Sequence, residues 1–166
     1  YHLYCKMFNE ELNKSRGVVN NFRIPTIQYF GNASFNDSYM PLSQDRLFYY
    51  QRLSTAKDRQ DICAIHEEIT DRFGRPGADT TNLYKITEIR IAYTNTLVKS
   101  IIIKKDRVVL TLTDADVRTP NKLSIGELMN ALEKTGIKYM FKQANKDSFG
   151  LDFFCSMSDE PLTMLI

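Results

Sequence analysis

The residues able to do chemistry are sparse in this 166-residue chain, and their spacing is against them. Acyl or phosphoryl transfer through a side-chain nucleophile needs a base beside it, usually a histidine. There are two histidines, His2 and His66, and neither stands in the context of a catalytic triad; His66 reads as a partly exposed residue of a helix. Asp114 and Asp116 alternate as strand residues do, which would aim both carboxylates the same way. They precede Pro120 at a strand end, where solvation of a loop accounts for them better than acid–base or metal chemistry. Gly74 and Gly77 lack the fingerprint spacing and the lysine of a phosphate-cradling loop. Cys5, Cys63 and Cys155 lie far apart with no cysteine or histidine at zinc-ligand spacing, so they read as buried or half-buried thiols in a reducing compartment. No enzymatic function is supported, and no cofactor or metal is implied for this stretch.

Two constellations remain. Between Asp58 and Phe73, Ile62, Ile65, Ile69 and Phe73 recur at intervals of three and four and cover one face of a helix. The polar surface of the same helix carries Asp61, Glu67, Glu68 and Asp71 in a chain whose formal net charge is +2, and Asp61, Ala64, Glu68 and Asp71 form a stripe of their own. Carboxylates late in a helix oppose its dipole, at a cost of a few tenths of a kcal/mol. Such a stripe is either a solvated face with a capping network or a face that meets a partner. The second constellation is basic: Arg46, Arg52, Lys57 and Arg59 surround Phe48-Tyr49-Tyr50, and cations beside aromatics can bind single-stranded nucleic acid. Tyr50 and Leu53 share a helical face, however, which points to packing.

The elements that must position these residues follow from periodicity and punctuation. A helix is expected over residues 1–14, then an extended and turning connector over 18–41 containing at least one short strand. Ser43 is placed to cap a helix to Ser54 with Leu47, Tyr50 and Leu53 inward. Asp58 caps the acidic helix, which Gly74 and then Pro76 terminate. A third helix is expected over 79–97, with Leu83, Ile86, Arg90, Tyr93 and Leu97 at helical spacing. Residues 98–103 and 108–113, rich in β-branched types, flank Lys104-Lys105-Asp106-Arg107 and read as a hairpin. Ser124-Ile125-Gly126-Glu127 is a capping box opening a helix to Gly136, and residues 137–142 and 149–155 read as two further strands. Helices followed by a mostly antiparallel sheet with one inserted helix make an α+β fold.

With 43% hydrophobic residues the chain can bury a core, and its near balance of charge predicts no strong pull toward nucleic acid or membrane surfaces. No apolar run approaches the roughly 20 residues of a membrane span. The chain reads as cytoplasmic. It starts without Met inside an expected helix and stops within an apolar run, as an excised piece of a longer protein would.

The segments Arg46-Leu47-Phe48-Tyr49-Tyr50-Gln51-Arg52-Leu53 and Glu68-Ile69-Thr70-Asp71-Arg72-Phe73-Gly74, followed by Leu83, resemble the C-terminal domain of bacterial transcription-repair coupling factors. The resemblance is specific from Tyr1 to about Leu97, and beyond that only the order of strands and helices agrees. It departs from the family at Arg75-Pro76-Gly77, where a Leu-Pro pair is usual, and at Ala33-Ser34-Phe35-Asn36-Asp37-Ser38-Tyr39, where the connector is commonly Pro-containing.

The resemblance implies two parts, a helix and connector leaving a translocase motor over 1–41 and a regulatory domain over 42–166. It implies a parent that uses ATP and Mg in its motor to move on DNA, removes stalled RNA polymerase and recruits the UvrA repair protein. The C-terminal domain would pack on an N-terminal UvrB-like module and mask its UvrA-binding surface. The family's acidic contacts would fall on Glu68 and Asp71, with Asp61 and Glu67 beside them and Arg72, Phe73 and Gly74 as the structural motif that ends the helix. The rival expectation is a DNA- or protein-binding module built on the basic aromatic helix at 46–52.

Overall fold

The computed structural model describes residues 24–96, 98–113, 133, 138–145, 148–154, 162 and 165. Their order is β1 (Thr26–Tyr29), α1 (Ser43–Thr55), α2 (Arg59–Phe73), α3 (Ala78–Tyr93), β2 (Val98–Ile103), β3 (Arg107–Thr113), β4 (Tyr139–Asn145) and β5 (Ser148–Phe154). The expected α+β class is borne out. The helices expected over 1–14 and 124–136, and the pair Asp114 and Asp116, fall outside the described residues apart from Glu133.

The sheet has the order β1-β2-β3-β5-β4. β2 and β3 form the expected hairpin, closed by Lys104 N–H donating to the Arg107 carbonyl at 2.9 Å. β5 returns antiparallel between β3 and β4. Among the described strands β1 alone is parallel: Thr26 to Tyr29 pair with Ser100 to Ile103, and α1, α2 and α3 lie in the crossover between the two strands. A parallel pair requires a long connection of this kind. The strand expected in the connector therefore forms, as an edge of the sheet.

Two apolar clusters share α3. Ile86 and Ile89 pack on the sheet with Ile101, Ile103, Val108 and Leu110, while Leu83 and Tyr84 pack with α1 and α2. A helix buried on both sides shows little amphipathic contrast. Its inward Thr87 is tolerated because its hydroxyl donates to the Leu83 carbonyl at 2.9 Å. α3 ends at Tyr93, four residues short of expectation. Thr94 donates back to the Ile91 and Arg90 carbonyls, and Asn95 takes φ 63°, a left-handed conformation that asparagine accepts more readily than most residues.

α2 matches its expected bounds. Asp58 accepts from the Asp61 amide at 2.9 Å, Gly74 closes the helix, and Ile62, Ile65 and Ile69 are buried with Phe73 half-buried. α1 is rotated from expectation. Tyr49 and Leu53 are fully buried, Tyr50 is half-buried, and Leu47 is exposed. Ser43 makes no side-chain cap; Leu42 occupies the cap position instead. Cys63 was expected to be at least half-buried, but it follows Ile62 on the α2 face turned away from the core and is exposed.

Candidate functional site

The acidic surface of α2 divides into groups with different fates. Asp61 is spent at the helix start, where its carboxylate accepts the Lys57 amide at 2.8 Å. Glu68 is spent against α1: it accepts the Tyr49 hydroxyl at 2.8 Å and pairs with the Arg52 guanidinium. Glu67 and Asp71 are exposed and have no ion pair or side-chain hydrogen bond among the described residues. Together with His66 and Thr70 they line one shallow depression.

Tyr49 organises the junction between α1 and α2. Its ring is fully buried, and its hydroxyl reaches the helix–helix seam to donate to Glu68 Oε1 and accept from Arg72 Nη1, each at 2.8 Å. Burial, followed by the Glu68 carboxylate, pushes the phenol above its ordinary range, so it keeps the proton it donates. Arg72 Nη2 lies 3.4 Å from Asp45 Oδ1, and its guanidinium stacks 5.0 Å above the Phe73 ring and 5.7 Å above that of Tyr49. The Arg52 guanidinium beside Glu68, then the Tyr49 hydroxyl, hold that carboxyl below its ordinary range. Asp45, Arg72, Tyr49, Glu68 and Arg52 are thus a charge-balanced chain of contacts across the seam.

Asp61 accepts only a neutral backbone amide and keeps its charge, so Glu68 is the one carboxylate of the stripe whose charge a guanidinium balances, and Glu67 and Asp71 are the two left without a hydrogen bond or ion pair among the described residues. The two positions on which the family's acidic contacts would fall differ in their surroundings: Glu68 is 39% exposed and locally paired, whereas Asp71 is open. The sequence places Tyr49 in the basic aromatic run but does not reveal its role in the seam, nor that of Asp45. A tyrosine inside an apolar run signals that its polar tip needs a partner, but nothing in the spacing names one 19 residues away.

The basic residues in and after α1 are similarly engaged. Arg46 donates to the Met40 and Pro41 carbonyls at 2.7 and 2.9 Å and pairs with Asp37 at 3.1 Å, and Arg59 pairs with Glu88 at 3.2 Å. Phe48 is exposed, with the Arg52 guanidinium 5.5 Å from its ring centre. Among the described residues no group of three or more His, Cys, Asp or Glu could hold a metal ion, and no helix is long and apolar enough to cross a membrane.

The TRCF domain family model matches residues 31–123, more than half of the chain and all of the seam between α1 and α2. The chain belongs to the TRCF domain family. Among solved structures, the TRCF domain described above is similar to the C-terminal domain of a transcription-repair coupling factor, with a TM-score of 0.72 and 17% identity over 89% of both chains. No curated protein matches the chain. The resemblance carried by residues 46–53 and 68–74 is therefore borne out, and the similar structure shares the fold across the sheet half as well.

Proposed function

We propose that this TRCF domain is a non-catalytic regulatory domain. It packs on the N-terminal UvrB-like module of its parent and masks that module's UvrA-binding surface. The parent in this reading is an ATP-driven DNA translocase that removes stalled RNA polymerase and recruits excision repair. The main support is the state of Glu67 and Asp71: two carboxylates without a side-chain partner among the described residues, held side by side on a helix whose opposite face is locked into the core. Arginines on a facing surface would satisfy them with charge-assisted hydrogen bonds. An interface that must open is better made from such contacts than from a broad apolar patch, because the surfaces separate into water. Glu68 contributes indirectly as well as directly, since its hold on Tyr49 and Arg52 fixes the rotation of α2 against α1.

Reversing charge with Glu68→Lys and Asp71→Lys should weaken capture of the UvrB-like module and raise UvrA binding by the full-length protein. Unchanged capture in a pull-down would sink the assignment. One observation favours the rival module on α1: Phe48 stands exposed beneath Arg52, an arrangement that stacks on bases or on a protein surface. A salt-dependent gel shift by the isolated domain would favour that rival.

A further inference from the structure

Residues 24–41 run from the sheet edge to the end of the docking helix, touching both apolar clusters. β1 adds to the edge of the sheet, and Phe30 N–H extends the pairing by donating to the Ile103 carbonyl at 3.0 Å. The chain then crosses α3, where Asn82 Nδ2 donates to the Asn32 carbonyl at 2.9 Å. Phe35 is buried against α1, its ring 4.9 Å from that of Tyr50 and 6.3 Å from that of Tyr49, and its amide donates to the Tyr50 hydroxyl at 2.9 Å. A tight turn follows, built by Asn36 Oδ1 accepting the Ser38 hydroxyl at 2.8 Å and the Tyr39 amide at 2.9 Å. It delivers the Tyr39 hydroxyl to the Gly74 carbonyl at 2.7 Å and its ring to within 6.2 Å of Phe73.

These endpoints are not scattered over the domain. Phe35 rests on Tyr49, whose hydroxyl holds Glu68 and Arg72. Tyr39 rests on Phe73 and Gly74, the residues that finish the helix bearing Asp71. One segment thus supports both the buried pivot and the C-terminal end of the proposed docking face, while its other end is a four-residue edge strand with Thr26 and Gln28 exposed. Short edge pairing with outward side chains is among the first structure a domain gives up in local opening.

We propose that residues 24–41 are a strap that couples the chain entering at Ile24 to the docking face. When the strap is seated, Tyr39 and Phe35 order the last turn of α2 and the Tyr49 contacts. When it is peeled from the sheet edge, that turn loosens and the carboxylates lose their fixed geometry. The strap therefore regulates the face assigned above, and it rests on that assignment.

Hydrogen exchange on the 166-residue chain tests it. Tyr39→Phe keeps the ring and removes the bond to Gly74. Exchange across residues 70–75 should become about fivefold faster, the size expected from losing one hydrogen bond, while α3 and β2 keep their rates. Phe35→Leu, which keeps the core filled, should extend the acceleration to the first half of α1. Acceleration confined to residues 35–41 would overturn the coupling, and so would a uniform rise in every element, since that reports global loss of stability. Failure of the docking assignment has a different signature: Glu68→Lys with Asp71→Lys would leave capture of the UvrB-like module unchanged whatever the exchange pattern.

Discussion

The hydroxyl of Tyr49 donates to the Glu68 carboxylate at 2.8 Å, so a residue with a fully buried ring and a residue of the proposed docking face are one hydrogen bond apart. This contact makes the core of the helical half and its surface chemistry interdependent.

Tyr49→Phe leaves the ring and its packing against Phe35 and Phe73 in place and removes both hydroxyl contacts. Bonds to charged partners contribute more than neutral ones, but here the freed groups can turn to water. The expected loss is about 1–2 kcal/mol of unfolding free energy. Tyr49→Ala adds a core cavity and should cost roughly 3–5 kcal/mol. Urea titrations of the two variants beside the wild type measure the difference between hydroxyl and ring.

Acid should act through Glu68. Its folded-state carboxyl titrates below the ordinary range, because Arg52 and then Tyr49 stabilise the charged form. The depressed value means that the contribution to stability is present above the unfolded-state pKa and is lost as pH falls through the folded one. Glu68→Gln keeps the shape and removes the titration. Between about pH 5 and pH 3 the variant should therefore lose less stability than the wild type, relative to each protein's value near pH 7. Parallel slopes for the two proteins in urea titrations across that window would contradict the assignment.

Gly74 closes α2 at φ 83° and ψ −172°, with open space where a Cβ would sit. Termination by a positive-φ glycine was legible in the sequence, but the ψ value puts it outside the left-handed helical region that asparagine accepts. In this region only glycine is at ease, and a side chain costs roughly 1–3 kcal/mol through the backbone alone. Gly74→Ala and Gly74→Asn should therefore destabilise by similar amounts in thermal melts. Recovery of stability by asparagine would indicate a relaxed, left-handed cap instead.

What the sequence made legible is largely local. The limits of α2 follow from Asp58, the isoleucine repeat and Gly74, all within seventeen positions, and the β2–β3 hairpin follows from two β-branched runs around a charged turn. The rotation of α1 did not follow. Leu47, Phe48, Tyr49 and Tyr50 are four large residues in succession, covering most of a helical turn, so periodicity permits several buried faces. The choice falls to partners distant in the chain: Phe35 against the rings, and Glu68 and Arg72 for the hydroxyl of Tyr49. The parallel pairing of β1 with β2 is non-local in the same sense, with 68 residues between Tyr29 and Val98. The acidic stripe was visible as a pattern, but its division into spent and open carboxylates depends on Arg52 and Tyr49 of another helix.

That division separates docking from stability experimentally. Glu67→Lys and Asp71→Lys alter exposed residues that have no side-chain partner among the described residues, and each should leave unfolding free energy within about 0.5 kcal/mol of the wild type. Glu68→Lys sets an ammonium against Arg52 and near Arg72 and should cost roughly 1–2 kcal/mol, after allowing for solvent screening of a half-exposed pair. Titration of each variant against the UvrB-like module, at low and at high ionic strength, then gives the docking cost. If the open carboxylates meet the partner, Asp71→Lys weakens docking with no loss of stability, and added salt narrows its gap from the wild type. If instead only Glu68→Lys weakens docking, and mild denaturant reproduces its effect on the wild type, α2 contributes by holding the domain's shape and the partner binds elsewhere.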